Sequence, residues 1–253
     1  MDSLDFSILI PAFVAGLLVL ASHVPFGMKV LARGIIFADL AIAQIAGLGV
    51  IAAELLGVSD SPLMVQLIAV SSALVGAVLL SVIDRRFPDI QEALIGLLFV
   101  LAATAGVLLM SRDVHAGEHL KDLLVGQILW VTPPQLWATG LMTAALLLIW
   151  RKFSSRLSTF GFYALFAIAV TASVQLVGVY LVFASLIIPA LATHTLKKYR
   201  LIVAYSIGVS AYVAGLLVSL WLDLPSGATI VWTMAISGVA GLITLKPTPV
   251  SIP

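Results

Sequence analysis

The chain has 253 residues, 62% hydrophobic and only 10% charged, where an ordinary soluble domain carries about 25% charged residues. Thirteen Lys+Arg and twelve Asp+Glu cannot coat so apolar a core, so a water-soluble globule is excluded and lipid is the expected solvent. A net charge of +1, with the basic residues scattered in twos and threes, speaks against a nucleic-acid partner; zero cysteines exclude a disulfide framework, a thiolate metal site and a cysteine nucleophile.

The apolar runs last about 17 to 25 residues, enough for a helix to cross ~30 Å of hydrocarbon at 1.5 Å per residue. Barrel strands would alternate instead, so the expected fold class is all-α, a polytopic membrane protein. Met1-Asp2-Ser3-Leu4-Asp5-Phe6 carries acids and no basic n-region, which predicts that the first apolar run stays as a membrane helix. Spans are predicted near 6–22, 34–57, 63–83, 92–110, 133–150, 160–177, 179–195, 201–222 and 228–245, all within one transmembrane domain over 1–253. His23, beside Pro25 after the first span, reads as an interface residue. Residues 160–196 hold no formal charge and, as one helix, would exceed ~50 Å. Gly178 is the expected break, giving nine spans; one tilted helix with a re-entrant piece would give eight. Pro189 should free the carbonyl of Ser185 and kink the seventh span.

Orientation follows from the basic residues between spans. Eleven of the thirteen Lys and Arg fall on one face of a nine-span arrangement, among them Lys29, Arg33, Arg85, Arg86, Arg151, Lys197 and Arg200. Only Arg112 and Lys121 lie on the other face, with Asp2, Asp60, Asp113, Glu118 and Asp223. The N-terminus is expected outside, in the cell inner membrane.

Candidate chemistry is sparse. Asp39 sits about one turn inside the second span, where a carboxylate costs roughly 2.5 to 3.5 kcal/mol on insertion scales. Asp39, Ala43, Ala46, Val50 and Glu54 recur at helical steps, placing two candidate metal-contacting acids on one stripe at opposite ends of the helix, with small residues between them. Pairing of Asp39 with Arg33 or a neighbouring helix, and of Glu54 with headgroups, is the structural alternative. His115-Ala116-Gly117-Glu118-His119 matches H-x-x-E-H, a zinc pattern of one metalloprotease class. Gly117 loosens the helix and no folded domain surrounds the motif. His115, Glu118 and His119 therefore read as a transient metal contact at the outer mouth or as a solvated loop, and the chain is not expected to be an enzyme.

No Gly-x-x-x-x-Gly-Lys-Ser/Thr phosphate loop occurs, so ATP, if it drives this protein, is bound by another chain. The basic, amphipathic stretch 150–161 is the candidate docking surface, and a purely topogenic positive loop is the alternative.

Three segments carry a resemblance: Arg33-Gly34-Ile35-Ile36-Phe37-Ala38-Asp39 onward to Gly49, Glu118-His119-Leu120-Lys121-Asp122 onward to Val131, and Gln175-Leu176-Val177-Gly178-Val179-Tyr180 onward to Ala190. Together they resemble the permease subunits of bacterial zinc/manganese/iron ABC importers, over about residues 6–246. The resemblance implies a homodimeric inner-membrane permease with the metal-type importer fold. It also implies an extracytoplasmic solute-binding protein that delivers a divalent metal, and a separate ATP-binding subunit on the cytoplasmic face. By likeness, Arg151, Lys152, Phe153, Arg156 and Gly161 belong to the region that touches the ATPase. Many members carry an Asp and, four residues later, a His in the second span; Asp39 matches the first, whereas Ala43 stands in the second position. The expected function is metal translocation by alternating access, with no cofactor of the chain's own. The rivals are a stand-alone secondary transporter or channel for a metal cation, and an intramembrane metallohydrolase using His115, Glu118 and His119.

Overall fold

The computed structural model describes residues 6–58, 60–111, 124–153 and 156–244. Nine α-helices are bounded there, with no strand among the described residues: α1 Phe6–Arg33, α2 Ala38–Leu55, α3 Pro62–Arg86, α4 Gln91–Leu109, α5 Pro133–Phe153, α6 Thr159–Val177, α7 Val179–Ala192, α8 Arg200–Leu222 and α9 Ser226–Thr244. Short 3₁₀ turns occupy Pro88–Ile90 and Ile128–Trp130. The expected all-α fold is observed, and eight of the helices are long and apolar enough to cross a membrane. α7 has 14 residues, roughly 21 Å of helix, shorter than the ~30 Å hydrocarbon layer.

Most predicted boundaries lie within three residues of the observed ones. The break between α6 and α7 falls at Gly178, whose φ of 85° is open to glycine and strained for other residues. The clearest correction is α1, predicted to end near residue 22 and observed to run to Arg33. Pro25 lacks the N–H that would bond Ala21, which ought to weaken the helix there. The Tyr205 hydroxyl donates to that Ala21 carbonyl at 3.0 Å, so the group freed by proline is satisfied from α8. α2 begins at Ala38 rather than 34, because Gly34 turns the chain with φ 67°.

The described residues fall into two compact units. Of the described residues the first holds those within 1–33, 125–141 and 176–244, with α1, α7, α8, α9 and the start of α5. Within it α1 packs on α7 and α8, and α9 on α7 and α8. Close packing rests on small residues: a Cβ on Gly27 would collide with the Leu186 carbonyl, so α1 and α7 meet backbone to backbone. At Gly178 the chain also lies against the backbone of Gly126. Ser185, on the turn that Pro189 would disturb, shares a 3.0 Å hydrogen bond with the Tyr212 hydroxyl. Thr193 donates to the Pro189 carbonyl at 2.8 Å, closing the end of α7.

The second unit comprises 34–124 and 142–175. Its α2 packs against both α3 and α4. A Cβ on Gly49 would stand 2.9 Å from the Ala69 Cα, so α2 and α3 approach at glycine–alanine distance. Large apolar side chains such as Val75, Leu97 and Leu108 are exposed, the arrangement expected where the outer solvent is hydrocarbon.

Candidate functional site

α2 builds the site. Ala38, Ala41, Ile42, Ala43, Ile45 and Ala46 are all buried, and the predominance of alanine lets the neighbouring helices close over the first two turns. Asp39 lies among them at 1% exposure. Neither Asp39 Oδ1 nor Oδ2 has a hydrogen-bond partner among the described residues. A carboxylate so enclosed and without a hydrogen-bond partner is costly, a cost that its place in the first turn of α2 offsets only in part, and its two oxygens have the chemistry to receive a cation.

The predicted stripe runs from the buried start of α2 to its exposed end. Asp39, Ala43 and Ala46 are buried, Val50 is half-buried and Glu54 is exposed. Glu54 lies 15 residues beyond Asp39, roughly 22 Å along the axis, so α2 carries its two acids at opposite ends. No group of three or more His, Cys, Asp or Glu converges among the described residues. His115, Glu118 and His119 lie outside the described residues.

The proposed coupling stretch is bracketed by aromatic rings. Trp150 at the end of α5 and Phe162 at the start of α6 lie 6.0 Å apart, and Phe162 stacks on Phe166 at 5.8 Å. Between the brackets, Arg156 and Leu157 donate backbone N–H groups to the Phe153 carbonyl at 2.8 and 2.9 Å. The Ser158 hydroxyl accepts the Gly161 N–H at 3.1 Å, an N-cap for α6. The loop is thereby anchored while Arg151, Lys152, Phe153 and Arg156 remain exposed. Gly161 sits apart from these four: it is half-buried, and a Cβ there would lie 2.8 Å from a Leu157 methyl.

Two residues gained a place the sequence did not suggest. His23 is fully buried rather than interfacial. Its Nδ1–H donates to the Val19 carbonyl at 3.0 Å, and its Nε2 is buried with no partner among the described residues. Glu92, in the first turn of α4, accepts the Phe37 N–H at 3.1 Å and so touches the start of α2. An acid opening a span could have signalled the second, since helix starts favour carboxylates; its target on another helix left no local trace.

Comparison with known proteins follows the same lines. The profile of a family described as the ABC 3 transport family matches residues 5–157 and 152–244. The chain is 27% identical over 251 residues to the manganese transport system membrane protein MntC of Halalkalibacterium halodurans, covering 90% of this chain and 84% of that protein. It is 28% identical over 175 residues to the chelated iron transport system membrane protein YfeD of Yersinia pestis, covering 60% of this chain and 59% of that protein. Among solved structures, PsaBC from Streptococcus pneumoniae in complex with Fab shares the fold, with a TM-score of 0.71 at 22% identity over 92% of this chain and 89% of the other.

Proposed function

This chain belongs to the ABC 3 transport family, and from that premise we propose that it imports a divalent metal ion, manganese or iron ahead of zinc. As a metal-type ABC permease it is a multi-pass membrane component and not an enzyme. In the proposed assembly two copies form the conduit in the cell inner membrane, N-terminus outside, with α7 counted as a crossing. An extracytoplasmic solute-binding protein delivers the metal, and an ATP-binding subunit docks on the cytoplasmic face.

The observation that carries the reading is Asp39. A buried carboxylate whose two oxygens have no hydrogen-bond partner among the described residues, in a helix long and apolar enough to cross a membrane, has the chemistry to receive a hard cation stripped of water. Where imidazole would stand one turn later there is Ala43. Oxygen donors without nitrogen suit manganese better than zinc, and iron stands beside it through the likeness to the chelated iron transport system membrane protein YfeD. The exposed cations Arg151, Lys152 and Arg156, held on an anchored loop, suit an acidic docking groove on the ATPase.

Energy comes from the partner. ATP binding and release would shift the permease between outward-open and inward-open states, and Asp39 would hold the metal while neither side is open. The test is reconstitution with the ATP-binding subunit in vesicles, followed by elemental analysis of accumulated manganese, iron and zinc. ATP-dependent accumulation of manganese or iron is expected; passage at the same rate without ATP would replace this reading with a gradient-driven transporter or channel. Replacing Arg151, Lys152 and Arg156 together by Glu should lower recovery of the ATP-binding subunit with the purified permease about tenfold.

A further inference from the structure

A helix start leaves four backbone N–H groups without intrahelical partners, and α2 supplies no cap of its own. Phe37 stands at the cap position with φ −78° and ψ −3°, and its side chain makes no capping bond. The acceptor comes instead from α4, whose Glu92 Oε1 takes the Phe37 N–H at 3.1 Å. The contact is supported by packing: a Cβ on Gly96, one turn along α4 from Glu92, would meet the Phe37 ring at 3.8 Å. Three residues before Phe37, Gly34 adopts φ 67° with open space around it. A cavity of about 430 Å³, lined by Gly34, Pro88, Asp89, Gln91 and Glu92, lies beside the joint. Two residues after Phe37 comes Asp39, shut in at 1% exposure.

We infer that Glu92 is a positioning residue for transport: by holding the Phe37 N–H it latches the start of α2 onto α4 and keeps the Asp39 carboxylate enclosed. Release of the latch lets the start of α2 turn about Gly34 and opens Asp39 to the side on which that helix begins. The role in transport rests on the reading of Asp39 as the metal contact; the latch itself does not. Glu92 acts through a hydrogen bond, so a neutral acceptor at the same place should serve, and a residue without an acceptor should not.

The chain has no cysteine, so a single introduced thiol reports without background. In the complex reconstituted with its ATP-binding subunit, Asp39→Cys should react slowly with a maleimide when residue 92 is Glu. It should stay slow in Glu92→Gln, and react about tenfold faster in Glu92→Ala, as a local opening predicts. With Asp39 intact, Glu92→Ala should raise the KM for manganese uptake while Glu92→Gln restores it. Equal labelling in all backgrounds, or Glu92→Gln behaving as Glu92→Ala, overturns the latch. If instead Asp39→Asn transports normally while labelling still follows residue 92, the latch stands and the assignment of Asp39 as metal contact fails.

Discussion

Polar groups interrupt the apolar helices in two ways, and the contrast separates those that find a hydrogen-bond partner from those that do not. In the first unit the groups disturbed by proline and the Ser185 hydroxyl are answered, although His23 Nε2 there is buried with no hydrogen-bond partner among the described residues. The carbonyl freed by Pro25 receives the Tyr205 hydroxyl, Ser185 pairs with Tyr212, and Thr193 closes the turn at Pro189. In the second unit, at the start of α2, Asp39 has two oxygens and no partner for either among the described residues. In a solvent that offers no hydrogen bonds, a paired group holds the fold, while an unpaired carboxylate costs stability and is the candidate for a role in transport.

That contrast predicts opposite signs on mutation. Asp39→Leu should raise the stability of the purified permease by about 2 kcal/mol, because an unpartnered carboxylate is exchanged for an apolar side chain of similar size. Thermal unfolding in detergent checks this, and a fall in Tm would mean that Asp39 is structurally paired after all. Gly27→Ala should cost about 2 kcal/mol, since its Cβ would strike the Leu186 carbonyl and only a backbone shift can relieve it. Tyr205→Phe leaves the Ala21 carbonyl unanswered and should cost about 1 kcal/mol. Tyr212→Phe should cost least, roughly 0.6 kcal/mol, the average for hydrogen bonds between membrane helices. The two tyrosine variants should keep ATP-driven metal uptake at the wild-type level per folded molecule. Loss of uptake without loss of stability in either would move that residue from the answered class to the functional one.

How much of this was legible in the sequence depended on how local the cause was. Apolar length and turn punctuation located the helices, and Gly178 announced its break because an uncharged run of that length must bend somewhere. Asp39 stood out as a carboxylate expected one turn inside a span, but α2 begins only at Ala38, so Asp39 lies in its first turn. The full length of α1 was hidden, since the hydroxyl that repairs Pro25 comes from a residue 184 positions away. Glu92 was hidden for a related reason: an acid opening a span reads as a solvated end, and only the packing of α4 against α2 turns it toward Phe37. The pairing of Asp39 with Glu54 on one stripe was correct as periodicity, but one end of that stripe is buried and the other exposed. The basic loop was legible as charge; its anchoring by Trp150 and Phe162 was not, because ring contacts depend on where α5 and α6 come to lie.

The claim on which the account turns is that metal passes by way of Asp39. The direct measurement is manganese accumulation in vesicles by the Asp39→Asn permease together with its ATP-binding subunit, with ATP hydrolysis followed in the same sample. The account predicts an assembled complex that still hydrolyses ATP while uptake falls to background; accumulation at the wild-type rate would contradict it.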